Sequence, residues 1–197
     1  VVGVCELAKL IDRDLSEIER LESALDGEQI ASGSRHADNI APALFGGLCL
    51  IDPDGVSSKL PVPDGLHLVV LHPQVVIETA KSREVLPSTV LLQDAIHASA
   101  WMGRFVQSCY TNDLEGFSTS LKDLLVGPYR KSQLPAYDKC ELAAKNAGAL
   151  TGGISGSGPS SFWVANSKDK ANAISKALEV VMTTESVDYN IHVTTAS

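Results

Sequence analysis

The sequence predicts an α+β protein, and three observations carry the prediction. Residues 66–71 and 189–194 are short runs rich in apolar and β-branched side chains, the composition of strands. Residues 91–110 and 168–182 instead repeat apolar side chains at three- and four-residue steps, the spacing of amphipathic helices. A Gly/Ser-rich stretch, residues 152–161, joins two further strand-like runs as a hairpin would. From residue 66 onward the order is therefore strand, helices, strand, strand, helix, strand. That is a split β-α-β pattern with extra helices in the first crossover.

The elements follow in order. Residues 1–12 read as a helix, with Val1, Val4, Leu7 and Ile11 near helical spacing. Asp14 and Glu17 form a D-x-x-E capping box for a second helix, with Ile18, Leu21, Leu25 and Ile30 on one face. Ser32-Gly33-Ser34 breaks it. Residues 44–51 are apolar and strand-like, and Asp52-Pro53-Asp54-Gly55 has the chemistry of a turn. Pro61-Val62-Pro63-Asp64-Gly65 is a second break and marks a domain boundary, dividing the chain into 1–62 and 63–197.

Residues 66–71 are a buried-strand candidate ending at Pro73. In the helix over 91–110 the apolar face is Ala95, Ile96, Met102, Phe105, Val106 and Cys109. Residues 113–126 and 136–147 read as two more helices. Residues 151–155 and 161–165 are the hairpin strands, 168–182 a helix, and 189–194 the last strand.

Composition narrows the function classes. The 197 residues are 44% hydrophobic and 20% charged, ordinary for a globular protein, and carry a net charge of −8. An acidic chain is a poor partner for nucleic acid or an anionic membrane surface. No apolar run reaches the length of a bilayer span, and the first residues show no signal-peptide pattern. Cys5, Cys49, Cys109 and Cys140 lack C-x-x-C spacing, which fits reduced thiols in a cytosolic protein better than a zinc site or a disulfide framework.

The richest stretch is His36-Ala37-Asp38-Asn39-Ile40-Ala41-Pro42-Ala43-Leu44-Phe45-Gly46-Gly47. Three polar side chains within four residues rarely all serve packing, because each would need a buried partner. An H-x-D pair without a third ligand does not make a metal site. Asn39 suits a hydroxyl, since its amide both donates and accepts. The loop Gly152-Gly153-Ile154-Ser155-Gly156-Ser157-Gly158-Pro159 has a backbone free to approach a ligand, with N–H groups able to converge on an anion. Taken alone it is equally a flexible hairpin turn. It is neither a Walker A loop nor a nucleophile elbow: no Gly-Lys-Ser/Thr follows, and Ser157 stands where G-x-S-x-G needs its last Gly. Glu28, eight residues before His36, reads alone as a solvated helix carboxylate. Thr79 and Arg83 share i, i+4 spacing, and Arg130 ends a Gly-Pro-Tyr-Arg run. Each arginine alone is a surface charge, whereas two on one pocket would suit a carboxylate. His67, His72, His97 and His192 belong to no constellation and read as structural or surface residues.

Four of these segments together resemble one family. His36 to Gly47 is similar to the H-x-D-N-x-A-P-A-x-x-G-G signature of the homoserine kinases, a branch of the GHMP small-molecule kinases. Gly-Ile-Ser-Gly-Ser-Gly-Pro-Ser resembles the third GHMP motif, and Thr79-x-x-x-Arg83 before Leu86-Pro87 and Pro128-Tyr129-Arg130 resemble two further family segments.

The resemblance implies the end of a ribosomal-protein-S5-like N-terminal domain over residues 1–62, then a ferredoxin-like GHMP C-terminal domain over 63–197. It implies ATP-dependent phosphorylation of the L-homoserine hydroxyl, in threonine biosynthesis, in the cytoplasm or in the stroma of a plant plastid. Glu28 would hold the Mg²⁺ of ATP. Thr79, Arg83 and Arg130 would hold the amino acid's carboxylate, with His36 and Asn39 orienting its backbone and hydroxyl. Gly156, Ser157 and Gly158 would support a phosphate loop, and Asp38 is the nearest candidate for a general base. Homoserine kinases carry that loop, roughly P-x-x-x-G-L-G-S-S-A, before the helix that Val1 begins, and these 197 residues do not contain it. The expectation is one piece of a longer or split enzyme, with the preceding segment as its partner and a homodimer possible. Another GHMP kinase, or a non-catalytic amino-acid-binding module, stays open at this point.

Overall fold

The computed structural model describes residues 2–11, 14–33, 35–55, 57–77 and 84–196. The chain forms two compact units, Val1–Val62 and Pro63–Ala196.

The first unit contains helices α1 (Val2–Leu10), α2 (Glu17–Ser32) and α3 (Ala37–Phe45), then a hairpin of β1 (Leu48–Ile51) and β2 (Ser57–Leu60). A capping box does start α2, but Ser16 and Glu19 make it rather than Asp14 and Glu17. Ser16 Oγ accepts from the Glu19 N–H (3.3 Å), and Glu19 Oε2 accepts from the Ser16 N–H (2.9 Å). The later start puts both Glu17 and Glu19 in the first turn, where the helix dipole favours carboxylates. The helix ends where Gly33 takes φ +80° and donates to the Gln29 carbonyl.

The buried face of α2 is carried by Ala24 and Leu25, while Ile18 and Ile30 are 74% and 88% exposed. Ile18 lies in the first turn, and Ile30 comes five residues after Leu25, on the other side of the helix. The strand expected over 44–51 begins only at Leu48, because α3 continues to Phe45. Gly46 and Gly47, at φ +68° and +69°, switch the backbone from helix to strand. The turn after β1 is as expected: Asp52 accepts from the Asp54 and Gly55 N–H groups, both at 3.0 Å. The strand it leads into, β2, went unanticipated, since Ser-Ser-Lys-Leu has little strand character of its own.

The second unit runs β3 (His67–Pro73), α4 (Leu92–Tyr110), α5 (Leu114–Ser120), α6 (Gly127–Arg130), a 3₁₀ turn (Lys131–Gln133), α7 (Tyr137–Asn146), β4 (Thr151–Ile154), β5 (Ser161–Ala165), α8 (Lys168–Thr184) and β6 (Tyr189–Thr194). The four strands form an antiparallel sheet in the order β4-β5-β3-β6. This is the split β-α-β arrangement, with β3 in the interior and the chain's last strand beside it.

One face of the sheet carries the core. Val69 and Leu71 of β3 and Trp163 and Ala165 of β5 meet Tyr137, Cys140 and Ala144 of α7, together with Ala171, Ile174, Leu178 and Met182 of α8. All are almost fully buried, and each large aliphatic or aromatic side chain so removed from water stabilises the fold by about 2 kcal/mol before entropy is counted.

The helix expected over 113–126 stops at Ser120. The reason is Asp123, whose carboxylate accepts from the N–H groups of Leu125 (3.1 Å), Val126 (2.8 Å) and Gly127 (2.7 Å). A side chain that satisfies these donors offers the backbone an alternative to continuing the helix. On α4, Ile96 and Met102, assigned to the apolar face, are 57% and 52% exposed; Cys109 is buried, and Phe105 stacks at 4.8 Å on Phe117 of α5.

Candidate functional site

The sequence-predicted site residues fall in both units. In the first, His36 is the N-cap residue of α3, in extended conformation, and makes no side-chain capping bond. Asp38 and Asn39 occupy the first turn, and all three side chains are exposed, while Ala37 and Ala41 turn to the buried side. The pattern His-Ala-Asp-Asn-Ile-Ala thus separates a packing face from a polar face on one short helix. Asp38 already spends Oδ1 on the Asn39 N–H (3.1 Å), and its charge suits the helix N-terminus.

Arg35 fixes the approach to α3. Its guanidinium pairs with Glu22 and, at 2.9 Å, with Asp26, both on α2. α2 also carries Glu28, which is half-buried. The arginine ties the helix bearing Glu28 to the turn bearing His36. The sequence reading overlooked it because Glu22 and Asp26 lie far back in the chain on a helix whose charges looked merely solvated.

In the second unit, α6 places Arg130. This helix has only four residues, too few to be stable by itself, and Asp123 caps its start. Gly127 suits this close approach: a Cβ there would lie 3.0 Å from Asp123 Oδ2, so the carboxylate would have to shift to admit a larger residue. Asp123 is not among the sequence-predicted site residues, since it lies three residues before the N-cap Val126, outside the position where a capping side chain is read from sequence. Arg130 Nη1 donates to the Gly156 carbonyl at 2.9 Å, so Arg130 and the glycine loop, separate in sequence, meet. Its Nε is buried and has no partner among the described residues.

The loop between β4 and β5 is closed at its base by the Ser155 N–H donating to the Ser160 carbonyl (2.8 Å) and internally by the Gly158 N–H donating to the Ser155 carbonyl (3.0 Å). Gly156 and Gly158 take φ +59° and +82°, values that L side chains rarely adopt. His72, set aside in the sequence reading, shares a 2.8 Å hydrogen bond between Nδ1 and Ser160 Oγ. Nothing local announces this pair, which only the antiparallel register of β3 and β5 brings together.

Thr79 and Arg83 lie outside the described residues. Among the described residues no three His, Cys, Asp or Glu side chains gather as a metal cage, and no helix is long and apolar enough to cross a membrane.

Comparison with known proteins gives this arrangement its class. Residues 105–181 match the family described as GHMP kinases C terminal. The homoserine kinase of Xylella fastidiosa strain M12 is 35% identical over 94% of this chain and 57% of its own length. That of Chlorobium phaeobacteroides strain BS1 is 34% identical over 89% of this chain and 56% of its own. The crystal structure of homoserine kinase from Cytophaga hutchinsonii superposes with a TM-score of 0.92 at 33% identity, covering 96% of this chain and 61% of that one. Over residues 105–181 the chain is thus similar to the C-terminal part of the GHMP kinases. The relatives it resembles at 33–35% identity are homoserine kinases, the family that the four sequence segments resemble. The chain spans a little over half the length of the curated relatives it matches.

Proposed function

We propose that this chain supplies part of a homoserine kinase, which transfers the terminal phosphoryl group of ATP to the side-chain hydroxyl of L-homoserine. The nucleophilic oxygen forms the new P–O bond, ADP leaves, and the product is O-phospho-L-homoserine, which would feed threonine biosynthesis. Residues 1–62 are read as the end of the GHMP N-terminal domain and 63–197 as its C-terminal domain. A cytoplasmic setting and a homodimer belong to the same reading.

The supporting observation is the Arg130–Gly156 contact, in which the arginine assigned to the substrate carboxylate also holds the loop assigned to the phosphate side. Phosphoryl transfer depends mainly on positioning and on neutralising charge, and one side chain spanning both functions couples them. His36 and Asn39 would orient the amino acid, with Thr79 and Arg83 joining Arg130 at the carboxylate. Ser157 would share the phosphate side with Gly156 and Gly158.

Mg²⁺ fits the donors present only in part, through the single hard carboxylate of Glu28. That is the usual protein contribution when phosphates supply the other oxygens. When bound, the ion would offset phosphate charge. Asp38, which accepts from the Asn39 N–H, is the nearest candidate for a general base.

The test is ADP release by the protein that carries this chain, with L-homoserine, with mevalonate and with no acceptor. Homoserine-dependent release supports the reading. Release with mevalonate alone would point to another GHMP kinase, and binding of homoserine without turnover to a non-catalytic module.

A further inference from the structure

We propose that His72 is a positioning residue for the glycine loop, acting through Ser160 to govern the nucleotide side of the proposed phosphoryl transfer. The proposal rests on the kinase reading above.

The β3–β5 ladder ends at the pair Leu71 and Ser161. His72 and Ser160 are the next pair outward, beyond the backbone bonding, on the face of the sheet opposite Val69, Leu71 and Trp163. There the imidazole takes over what the ladder no longer does. Its Nδ1 binds Ser160 Oγ at 2.8 Å, while the carbonyl of the same serine accepts the Ser155 N–H that closes the loop. Ser160 is thus held through its side chain and uses its backbone to shut the turn. The strand segment that carries the imidazole is anchored from the other face of the sheet, where Leu71 and Pro73 are buried. The loop needs such a brace, because glycines at 156 and 158 leave its backbone with many accessible conformers. Arg130 holds the loop at Gly156, and His72 holds it at its base. Losing the base contact should loosen the phosphate side and leave the arginine's carboxylate contact in place.

The experiment compares His72→Phe, His72→Asn, Ser160→Ala and the double variant His72→Phe/Ser160→Ala in the protein that carries this chain. His72→Phe and Ser160→Ala should each raise KM for ATP by about fivefold, with KM for homoserine within about twofold. The double variant should be no worse than His72→Phe, because both changes remove one contact. His72→Asn should restore near-normal KM for ATP, since an amide reaches roughly where Nδ1 stands. An unchanged KM for ATP in His72→Phe, equal rises for both substrates, or multiplied effects in the double variant would overturn the proposal. The amide NMR signals of residues 156–158 give a readout independent of turnover. They should move in His72→Phe and Ser160→Ala and return towards wild type in His72→Asn. If the wild-type protein lacks homoserine-dependent turnover, the kinase reading fails, and with it the role assigned to His72. The amide signals would then report only whether His72 braces the loop.

Discussion

Arg130 Nη1 lies 2.9 Å from the Gly156 carbonyl, and this bond makes the arginine a strut of the glycine loop as well as a candidate for the substrate carboxylate. A guanidinium has five N–H donors, so one engaged with a carbonyl leaves others for a carboxylate.

Arg130→Ala is therefore expected to raise KM for homoserine by about thirtyfold, from the loss of roughly 2 kcal/mol of charge-assisted bonding. KM for ATP should rise less. Arg130→Lys should recover little, because an ammonium cannot span carbonyl and carboxylate as a fork does. Steady-state kinetics with each substrate varied decides it: equal effects on both substrates would make the arginine purely structural.

Glu28→Gln keeps the shape of the side chain and removes the charge that Mg²⁺ needs. Turnover is expected to fall by about tenfold, with part of the loss recovered at higher Mg²⁺. Homoserine binding without nucleotide, followed by calorimetry, should stay the same. A normal rate at low Mg²⁺ would return Glu28 to an ordinary helix carboxylate.

The two glycines 152 and 156 should respond differently to alanine. At Gly152 the new Cβ would lie 2.1 Å from the ring of buried Trp163, so Gly152→Ala is expected to cost about 3 kcal/mol by forcing that ring to shift. At Gly156 nothing lies within 4 Å, and only the positive φ resists, which costs about 1 kcal/mol. Urea unfolding of the two variants measures the difference, and equal losses would contradict the packing of β4 on β5.

Tyr137 supplies a pH test of the core. Burial, followed by the nearby charges of Glu141, Asp138 and Asp123, pushes its phenol from 10.0 up to about 12. The folded state thus resists ionisation of a group that the unfolded chain ionises readily. Its stabilising effect is complete below pH 10 and is lost as pH rises through about 12. The unfolding free energy of wild type minus that of Tyr137→Phe should be constant below pH 10 and decline from there to pH 12. A flat difference across that interval would place the phenol in water.

The second unit was readable from sequence because its signals are local and strong. Residues 189–194 include the β-branched Ile191, Val193 and Thr194, 168–182 are periodic, and the Gly/Ser hairpin has its turn residues in place. What failed did so where two local solutions compete. Asp14 and Ser16 both head a capping-box pattern in the sequence, and the charges of Glu17 and Glu19 favour the later start, at Ser16. Asp123 diverts its own backbone into a turn, so the helix expected to pass through it stops short. At the site, the polar residues themselves were visible, but their partners were not. Glu22 and Asp26 reach Arg35 across a helix boundary, and Ser160 reaches His72 across 88 residues. Such contacts depend on register, which no window of sequence contains.

The sheet register also decides where the chain could be reopened. β3 ends, the glycine loop turns and β6 begins at one end of the sheet, and Gln74 donates to the Asp188 carbonyl there at 2.7 Å. The α7–β4 and β5–α8 turns lie at the opposite end, where Leu150 donates to the Val164 carbonyl. New termini or an inserted domain at those turns would stand about a strand's length, roughly 13 Å, from the loop. A domain inserted beside Gly148 would therefore keep His72, Ser160 and Arg130 on uninterrupted neighbours, whereas one inserted beside Asp188 would open the end that holds them.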